Sequence, residues 1–247
     1  MKYITIFSLF FVSGYLYAQQ KSICGFDDRD FSNIAAVGRV EKDLSKIGGC
    51  TATLIGKSCA ITAGACVPIL NFVEFNPALP GINGVESRSL PEDIYTVDRN
   101  SIVHQFKINK DWAVFKLEPN TVTGKLPGEV YSPLKLAKKK PLWGAAIYLP
   151  SYGYDVENRR YTQQTSHGKI KRTVLVGPYS DRVYHLADSA VGSSGAPIIL
   201  TSTNEIIGIH TNAGCGASYG PKANYGTMIL KNRQFRQAIT DCLKSEE

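Results

Sequence analysis

The sequence has no long apolar run beyond its N-terminus, only four histidines and no closely spaced pairs of metal ligands. No later segment has about 18 continuous apolar residues, so no transmembrane helix is predicted. The cysteines form no CxxC pair and the histidines no HxxxH pair. A zinc site is therefore not indicated, and we expect neither a metal nor an organic cofactor. Internal repeats and low-complexity tracts are also absent.

Residues 1–18 have the pattern of a secretory signal peptide. Lys2 precedes an apolar run over residues 4–12, and Ala18 ends the segment with a small side chain. This order of charge, apolar run and small residue is typical of signal peptides, whereas a buried N-terminal strand is the other interpretation. We expect a secreted or periplasmic protein whose mature domain covers residues 19–247.

The overall composition is that of a globular protein with a basic surface. The chain has 247 residues, 43% of them hydrophobic and 20% charged, with a formal net charge of +7. This length fits one domain or two tightly joined halves. The cations cluster at Lys135, Lys138, Lys139, Lys140, Arg159, Arg160, Lys169, Lys171 and Arg172. No nucleic-acid recognition motif accompanies them, so we expect a solvated basic face with a modest preference for acidic surfaces, and neither nucleic acid nor a membrane as partner.

Six cysteines in an exported chain predict disulfide bonds. Cys50 and Cys66 bracket two strand-like runs, 51–55 and 60–62, with a turn at 56–58 between them. This pattern predicts a hairpin closed at its ends by a disulfide. The other four cysteines allow three pairings that the sequence does not rank; they are Cys24, Cys59, Cys215 and Cys242.

The rest of the chain predicts an all-β fold followed by one helix. Short runs rich in β-branched and aromatic residues recur between glycine, proline and asparagine; they cover 95–97, 113–117, 145–149, 173–176, 196–200 and 206–209. Residues 119–128 contain two prolines and two glycines, which favours a crossover between two halves. Near the C-terminus, an apolar face at helical spacing is formed by Phe235, Ala238, Ile239, Cys242 and Leu243.

Three short motifs carry the chemistry. Ser194 lies in the glycine-rich stretch 192–197, Ala65 in the stretch 61–66 (ITAGAC), and Asp111 at the start of the apolar run 111–117. In this order and at these distances they resemble the motifs of trypsin-like serine endopeptidases of the chymotrypsin class. The resemblance implies two packed six-stranded antiparallel β-barrels, at about 25–125 and about 130–230, and a C-terminal α-helix at about 231–244.

The resemblance also implies a role for each motif. Ser194 is the expected nucleophile, Asp111 the orienting carboxylate, and the backbone N–H groups of Gly192 and Ser194 the oxyanion donors. Ala65 stands where the family has its general-base histidine. We therefore expect a monomeric protein that hydrolyses peptide bonds of peptide or protein substrates, but with severely impaired activity.

The chain has four histidines that could replace this base. His104 and His185 lie in strand-like runs and are interpreted as structural, and His167 lies in a polar stretch and is expected to be exposed. None of them, nor His210, has motif support as a base within hydrogen-bond reach of Ser194.

Two features near the nucleophile give conflicting indications of specificity. The run 208–211 resembles that of bacterial glutamyl endopeptidases, which implies that His210 helps to recognise a substrate glutamate and that Thr211 supports the catalytic aspartate. Asp188 occupies the place of the trypsin carboxylate that pairs with arginine or lysine, or it is a structural residue bound to backbone N–H groups. Because a buried carboxylate repels a bound glutamate, the preferred residue stays open. Ser193 replaces the aspartate that trypsins use in activation.

Ala65 admits three interpretations. It is an inactivating substitution in an intact protease, which the retained Asp111 and Ser194 favour. Alternatively, it is a natural loss that leaves a pseudoprotease acting as a peptide- or protein-binding module, which the retained signal sequence favours. A third hypothesis is that a substrate histidine enters the space left by alanine and supplies its own base.

Overall fold

The computed structural model describes residues 22–77, 87–107, 110–154, 161–173, 177 and 180–247. The predicted signal peptide lies outside these residues, as do Arg159, Arg160 and most of the strand predicted at 173–176. Within the described part of the chain, no helix is long and apolar enough to cross a membrane.

A short strand, β1 (Asp30–Phe31), precedes a closed barrel of six antiparallel strands. In chain order these are β2 (Val37–Glu41), β3 (Cys50–Leu54), β4 (Cys59–Thr62), β5 (Phe72–Glu74), β6 (Ile94–Lys107) and β7 (Lys110–Leu117). They pair in the order β2-β3-β4-β7-β6-β5. The barrel interior is filled by fully buried apolar side chains, including Val40, Phe75 and Phe115, whose burial stabilises the closure.

The second half of the chain forms a second barrel with two added strands. Its strands are β8 (Lys135–Leu136), β9 (Ala146–Ser151), β10 (Gln164–Thr173), β11 (Arg182–His185), β12 (Pro197–Leu200), β13 (Glu205–Asn212) and β14 (Asn224–Met228). Six of them close in the order β10-β11-β14-β13-β12-β9, while β1 extends the sheet at β10 and β8 pairs in parallel with β13. The predicted pair of six-stranded barrels is confirmed, and the two short added strands were not predicted.

The predicted C-terminal helix is also confirmed, as α1 (Arg233–Lys244). It begins at Asn232, whose side-chain oxygen accepts the N–H of Phe235 at 2.8 Å and satisfies one free donor of the first turn. The Phe235 ring stacks on Trp112 of β7, with centroids 5.0 Å apart. The helix that follows the second barrel therefore packs against the first.

Three disulfides and one carboxylate connect distant parts of the chain. The predicted Cys50–Cys66 bond is present, and the remaining pairs are Cys24–Cys215 and Cys59–Cys242. Beside the last bond, the Glu246 carboxylate accepts the N–H groups of Lys57, Ser58 and Cys59 at 2.8, 2.6 and 2.7 Å. The turn between β3 and β4 is thus held by the residues that follow α1.

Candidate active site

Ser194 lies in the loop between β11 and β12, where the two barrels meet. Its carbonyl oxygen accepts the N–H of Thr51 at 2.9 Å, and the carbonyl of Gly192 accepts the Thr51 hydroxyl at 2.8 Å. Thr51 belongs to β3 of the first barrel. These two bonds therefore fix the serine loop of the second barrel against the first.

Two glycines give the serine loop its sharp turn. Gly192 has φ +99° and Gly195 has φ +88°, which is the left-handed region that favours glycine. A Cβ at Gly192 would lie 2.2 Å from the Tyr152 carbonyl oxygen, so no other residue fits there. Among the described residues, no acceptor takes the N–H of Gly192 or of Ser194.

Ala65 lies in the first turn of a short 3-10 helix (Gly64–Ile69), with its side chain exposed. Gly64 must be glycine, because a Cβ there would lie 2.0 Å from the Gln105 carbonyl oxygen. The next residue, Cys66, is bonded to Cys50, and its Sγ lies 3.7 Å from the Ser194 carbonyl oxygen. The turn that carries Ala65 is therefore adjacent to the serine loop.

The Asp111 carboxylate is held by this same turn. Its Oδ1 accepts the N–H of Ala65 at 2.9 Å, and the N–H of Gly64 also donates to the carboxylate. The side chain is 8% exposed, and its burial raises its pKa while the two N–H groups lower it. In the described part of the chain no side chain donates to this carboxylate. It borders a cavity of about 410 Å³, which Arg182 also lines.

A threonine hydroxyl contacts Asp111 on the backbone side. Thr227 on β14 donates to the Asp111 carbonyl oxygen at 2.9 Å. The residue predicted for a supporting role, Thr211, lines the same cavity, but its hydroxyl lies 2.8 Å from Asn212 Oδ1. Sequence reasoning missed Thr227, since nothing in its surrounding sequence sets it apart from other strand threonines.

A family model of the trypsin-like peptidase domain matches residues 50–209. The chain belongs to the trypsin-like peptidase family. A comparison with curated protein sequences gives no significant match.

Several solved structures share the fold of this trypsin-like peptidase. A Glu endopeptidase in complex with MPD is 17% identical, covers 90% of this chain and 99% of its own, and has a TM-score of 0.67. The thermostable serine protease AL20 from an extremophilic microorganism is 15% identical, with 85% and 98% covered and a TM-score of 0.62. The protease Anisep from Arthrobacter nicotinovorans is 16% identical, with 81% and 93% covered and a TM-score of 0.59.

In this trypsin-like peptidase Asp188 is fully engaged with the backbone. Its Oδ1 accepts the N–H of Cys24 at 2.6 Å and its Oδ2 accepts that of Asp28 at 3.3 Å. The residue is 2% exposed, and its own N–H donates to the Ser166 hydroxyl at 2.7 Å. Of the two roles considered for Asp188, the contacts are those of the structural one: it ties the segment before β1 to the second barrel.

Ser193, next to the nucleophile position, is completely buried in a neutral network. Its hydroxyl lies 2.9 Å from the Ser151 hydroxyl and accepts the N–H of Ala190 at 3.1 Å. The position that holds a charged aspartate in trypsins is therefore occupied by a hydroxyl whose partners are uncharged.

His210 is buried and paired with a second histidine. Its Nδ1 lies 3.1 Å from Nε2 of His185, across the neighbouring strand β14. Burial lowers the pKa of His210 to about 4. Burial and then the proximity of His210 lower the pKa of His185 well below its usual value. At neutral pH both rings are uncharged, so one ring donates a hydrogen bond and the other accepts it.

The other two histidines lie on the surface. His104 is exposed on β6, and His167 is exposed on β10 as predicted. No histidine in the described part of the chain has a hydrogen bond to Ser194. The described residues also contain no group of three His, Cys, Asp or Glu side chains arranged to hold a metal ion.

Proposed function

We propose that this chain is an exported serine-endopeptidase-family protein whose cleft binds peptides around Ser194, and whose hydrolytic activity is severely impaired by Ala65. The family membership and the engagement of the two barrels at the serine loop support this proposal. Three disulfides support export, because such bonds persist in oxidising compartments.

The observation that carries the proposal is the Asp111 carboxylate next to Ala65. It is buried, its hydrogen bonds within the described residues come from the backbone of Gly64 and Ala65, and the Ala65 side chain beside it is exposed. If position 65 held a histidine, its backbone N–H would already be hydrogen-bonded to the Asp111 carboxylate that orients its ring. The site therefore retains the carboxylate that would orient a histidine base but lacks the histidine.

The proposed chemistry assigns one step to each remaining residue. The Ser194 oxygen attacks the carbonyl carbon of a peptide bond while its proton passes to water, and the N–H groups of Gly192 and Ser194 donate to the oxygen that becomes negative. The C–N bond then breaks, the amine leaves with a proton from water, and a second water hydrolyses the acyl-enzyme. Where a histidine occupies the space at position 65, Asp111 would stabilise the imidazolium that forms when that histidine takes the serine proton. Loss of the histidine from such a triad costs about 10⁶-fold in kcat, a value measured for subtilisin, or roughly 8 kcal/mol of barrier.

A second function is favoured by Ala65 itself. A cleft that keeps its donors but lacks a base binds a peptide without cutting it at a useful rate. In this alternative the chain is a pseudoprotease that acts as a peptide- or protein-binding module.

Substrate recognition is proposed to involve His210 rather than Asp188. Both Asp188 oxygens are engaged by backbone donors of the N-terminal segment, which leaves the carboxylate poorly placed to pair with a substrate cation. A structural neighbour is named a Glu endopeptidase. An uncharged His210 can donate a hydrogen bond to an acidic side chain, whereas the carboxylate of Asp188 would repel it. We therefore propose a preference for glutamate before the cleaved bond.

The test is hydrolysis of casein by the parent chain, by Ala65→His and by Ala65→His/Ser194→Ala. We expect Ala65→His to raise kcat by about 10⁵-fold or more, because the histidine restores the proton acceptor. The double variant should be as inactive as the parent, which attributes the gain to Ser194 rather than to a contaminating protease.

A folded Ala65→His protein that stays inert would contradict the endopeptidase proposal. The binding-module alternative then predicts that the parent chain retains peptides in equilibrium dialysis. Reaction with a fluorophosphonate probe gives an independent readout, since only an activated serine is labelled.

A further inference from the structure

Six exposed cations lie on two stretches of the second barrel that are distant in sequence. These residues, called the basic face below, are Lys138, Lys139, Lys140, Lys169, Lys171 and Arg172. No carboxylate in the described residues forms an ion pair with any of them. Their charges are therefore neutralised only by solvent ions and remain available to an anionic partner.

Backbone hydrogen bonds join β10 to the end of the loop that carries the three lysines. The N–H of Gly144 donates to the Ile170 carbonyl oxygen at 2.9 Å, and the N–H of Ile170 donates to Ala145 at 2.9 Å. Lys169 of β10 pairs with Ala146 at the start of β9. The loop that begins with the three lysines thus ends directly beside the part of β10 that carries the other three cations.

Two large apolar side chains project from the end of this loop. Leu142 is 80% exposed and Trp143 is 69% exposed, and a turn closed by the Ala145 N–H and the Leu142 carbonyl at 3.2 Å holds them. They are called the apolar tip below. The chain has two tryptophans, and the other, Trp112, is only 2% exposed. An exposed leucine and tryptophan that follow three lysines after one proline indicate a partner whose surface is both apolar and anionic.

We propose that the basic face and the apolar tip form a docking surface for an anionic lipid bilayer, which departs from the expectation from the sequence that no membrane is a partner. The lysines and the arginine bind headgroup phosphates, while Leu142 and Trp143 enter the boundary between headgroups and acyl chains, where indole rings are favoured. A bilayer supplies both the anionic headgroups that face the cations and an apolar layer for the tip, whereas a flexible acidic polymer supplies only the charge. The docking is peripheral and requires no membrane-spanning segment.

The docking surface lies apart from the peptidase cleft. It is at the N-terminal end of β9, whereas Tyr152, directly after the other end of that strand, packs against Gly192 of the serine loop. Six strand residues extend over roughly 20 Å. The protein therefore docks through one end of the second barrel while the cleft at the other end remains accessible to a peptide.

The experiment is co-sedimentation of the folded, oxidised protein with vesicles of phosphatidylcholine alone and of phosphatidylcholine mixed with phosphatidylglycerol. We expect binding only to the mixed vesicles, with a blue shift of tryptophan emission. The shift reports on Trp143, because Trp112 is already buried. High salt should weaken the binding by screening the cations.

Two sets of variants separate the two parts of the surface. Leu142→Ser/Trp143→Ser should lower the partition coefficient at least about tenfold by removing the apolar contact, whereas Leu90→Ser, at an exposed leucine of the first barrel, should not. Replacing Lys138, Lys139 and Lys140 by glutamine should lower it by about 100-fold at low salt, at about fivefold per cation. The matched control replaces the exposed Lys42, Lys46 and Lys125 and changes the net charge equally.

The proposal is overturned if mixed vesicles do not bind the protein. It is also overturned if they bind it without a blue shift and regardless of the Leu142 and Trp143 changes. Equally tight, tip-independent binding to polyglutamate or single-stranded DNA would assign the basic face to an acidic polymer instead. Because all these positions are exposed, a thermal melt of each variant verifies that its fold is intact.

Discussion

Asp111 and Asp188 are both buried aspartates that accept backbone N–H groups, and burial raises the pKa of both. They differ in where their donors come from. Asp111 accepts from adjacent residues of one turn, Gly64 and Ala65, and borders a cavity. Asp188 divides its two oxygens between Cys24 and Asp28. Asp188, with both oxygens bound by the N-terminal segment, holds that segment in place. Asp111, bound by one turn and bordering a cavity, can still orient a side chain placed at position 65.

The largest expected effect that tests this comparison is on catalysis. In the Ala65→His background, Asp111→Asn should lower kcat by about 10⁴-fold, the loss that the same change causes in a trypsin triad, because an amide favours the wrong histidine tautomer. The melting temperature should change far less than the activity. Measurements of kcat and of thermal unfolding on the same samples check this, and an equal loss of both would contradict the assignment of Asp111.

A smaller effect, and of another kind, is expected at Asp188. Asp188→Asn removes a charged acceptor from one of two part-buried backbone N–H groups and should lower the free energy of unfolding by about 1–3 kcal/mol. In the Ala65→His background, kcat and the proposed preference for glutamate should stay unchanged in the folded enzyme. Denaturant unfolding and cleavage of paired glutamate and lysine peptides measure the two. A switch in preference on this substitution would return Asp188 to the substrate pocket.

An effect of similar size that appears only on acidification concerns the buried histidine pair, which has no carboxylate partner among the described residues. Folded His210 has a pKa of about 4, against 6.5 for a free histidine, so the unfolded chain takes up its proton first as the pH falls. Stability is therefore complete above about pH 6.5 and decreases toward pH 4, with about 2 kcal/mol lost at pH 5. His210→Gln should lose less between pH 7 and pH 5 in denaturant unfolding. Parallel losses in both proteins would show that the pair does not control this dependence.

The sequence motifs predicted the part of the site that depends on local geometry. Ser194 and Ala65 lie in short stretches where backbone turns demand glycine, and those glycines are visible in the sequence. The two barrels followed from the resemblance, and the helix from its apolar spacing. The turns and the helix are encoded by residues near each other in the chain, which is why they could be predicted without a structure.

The remaining features depend on contacts between distant residues. Asp188 meets Cys24 and Asp28 across 164 and 160 positions, so its role could not be decided from the sequence. His185, interpreted as an ordinary structural histidine, meets His210 only because both strands flank β14. For the same reason, four cysteines could not be paired and the two basic stretches could not be recognised as one surface.

The hydrogen bonds from the turn between β3 and β4 to Glu246 determine when that turn is stabilised during synthesis. The strands of the first barrel are synthesised early, but the carboxylate and the Cys59–Cys242 bond that secure one of their turns come from residues more than 180 positions later. A nascent chain therefore has an unsupported turn and an unpaired Cys59 for most of its synthesis. The Cys59–Cys242 disulfide and the Glu246 hydrogen bonds can form only after residues 242–246 have been synthesised. The segment made last therefore stabilises the barrel made first.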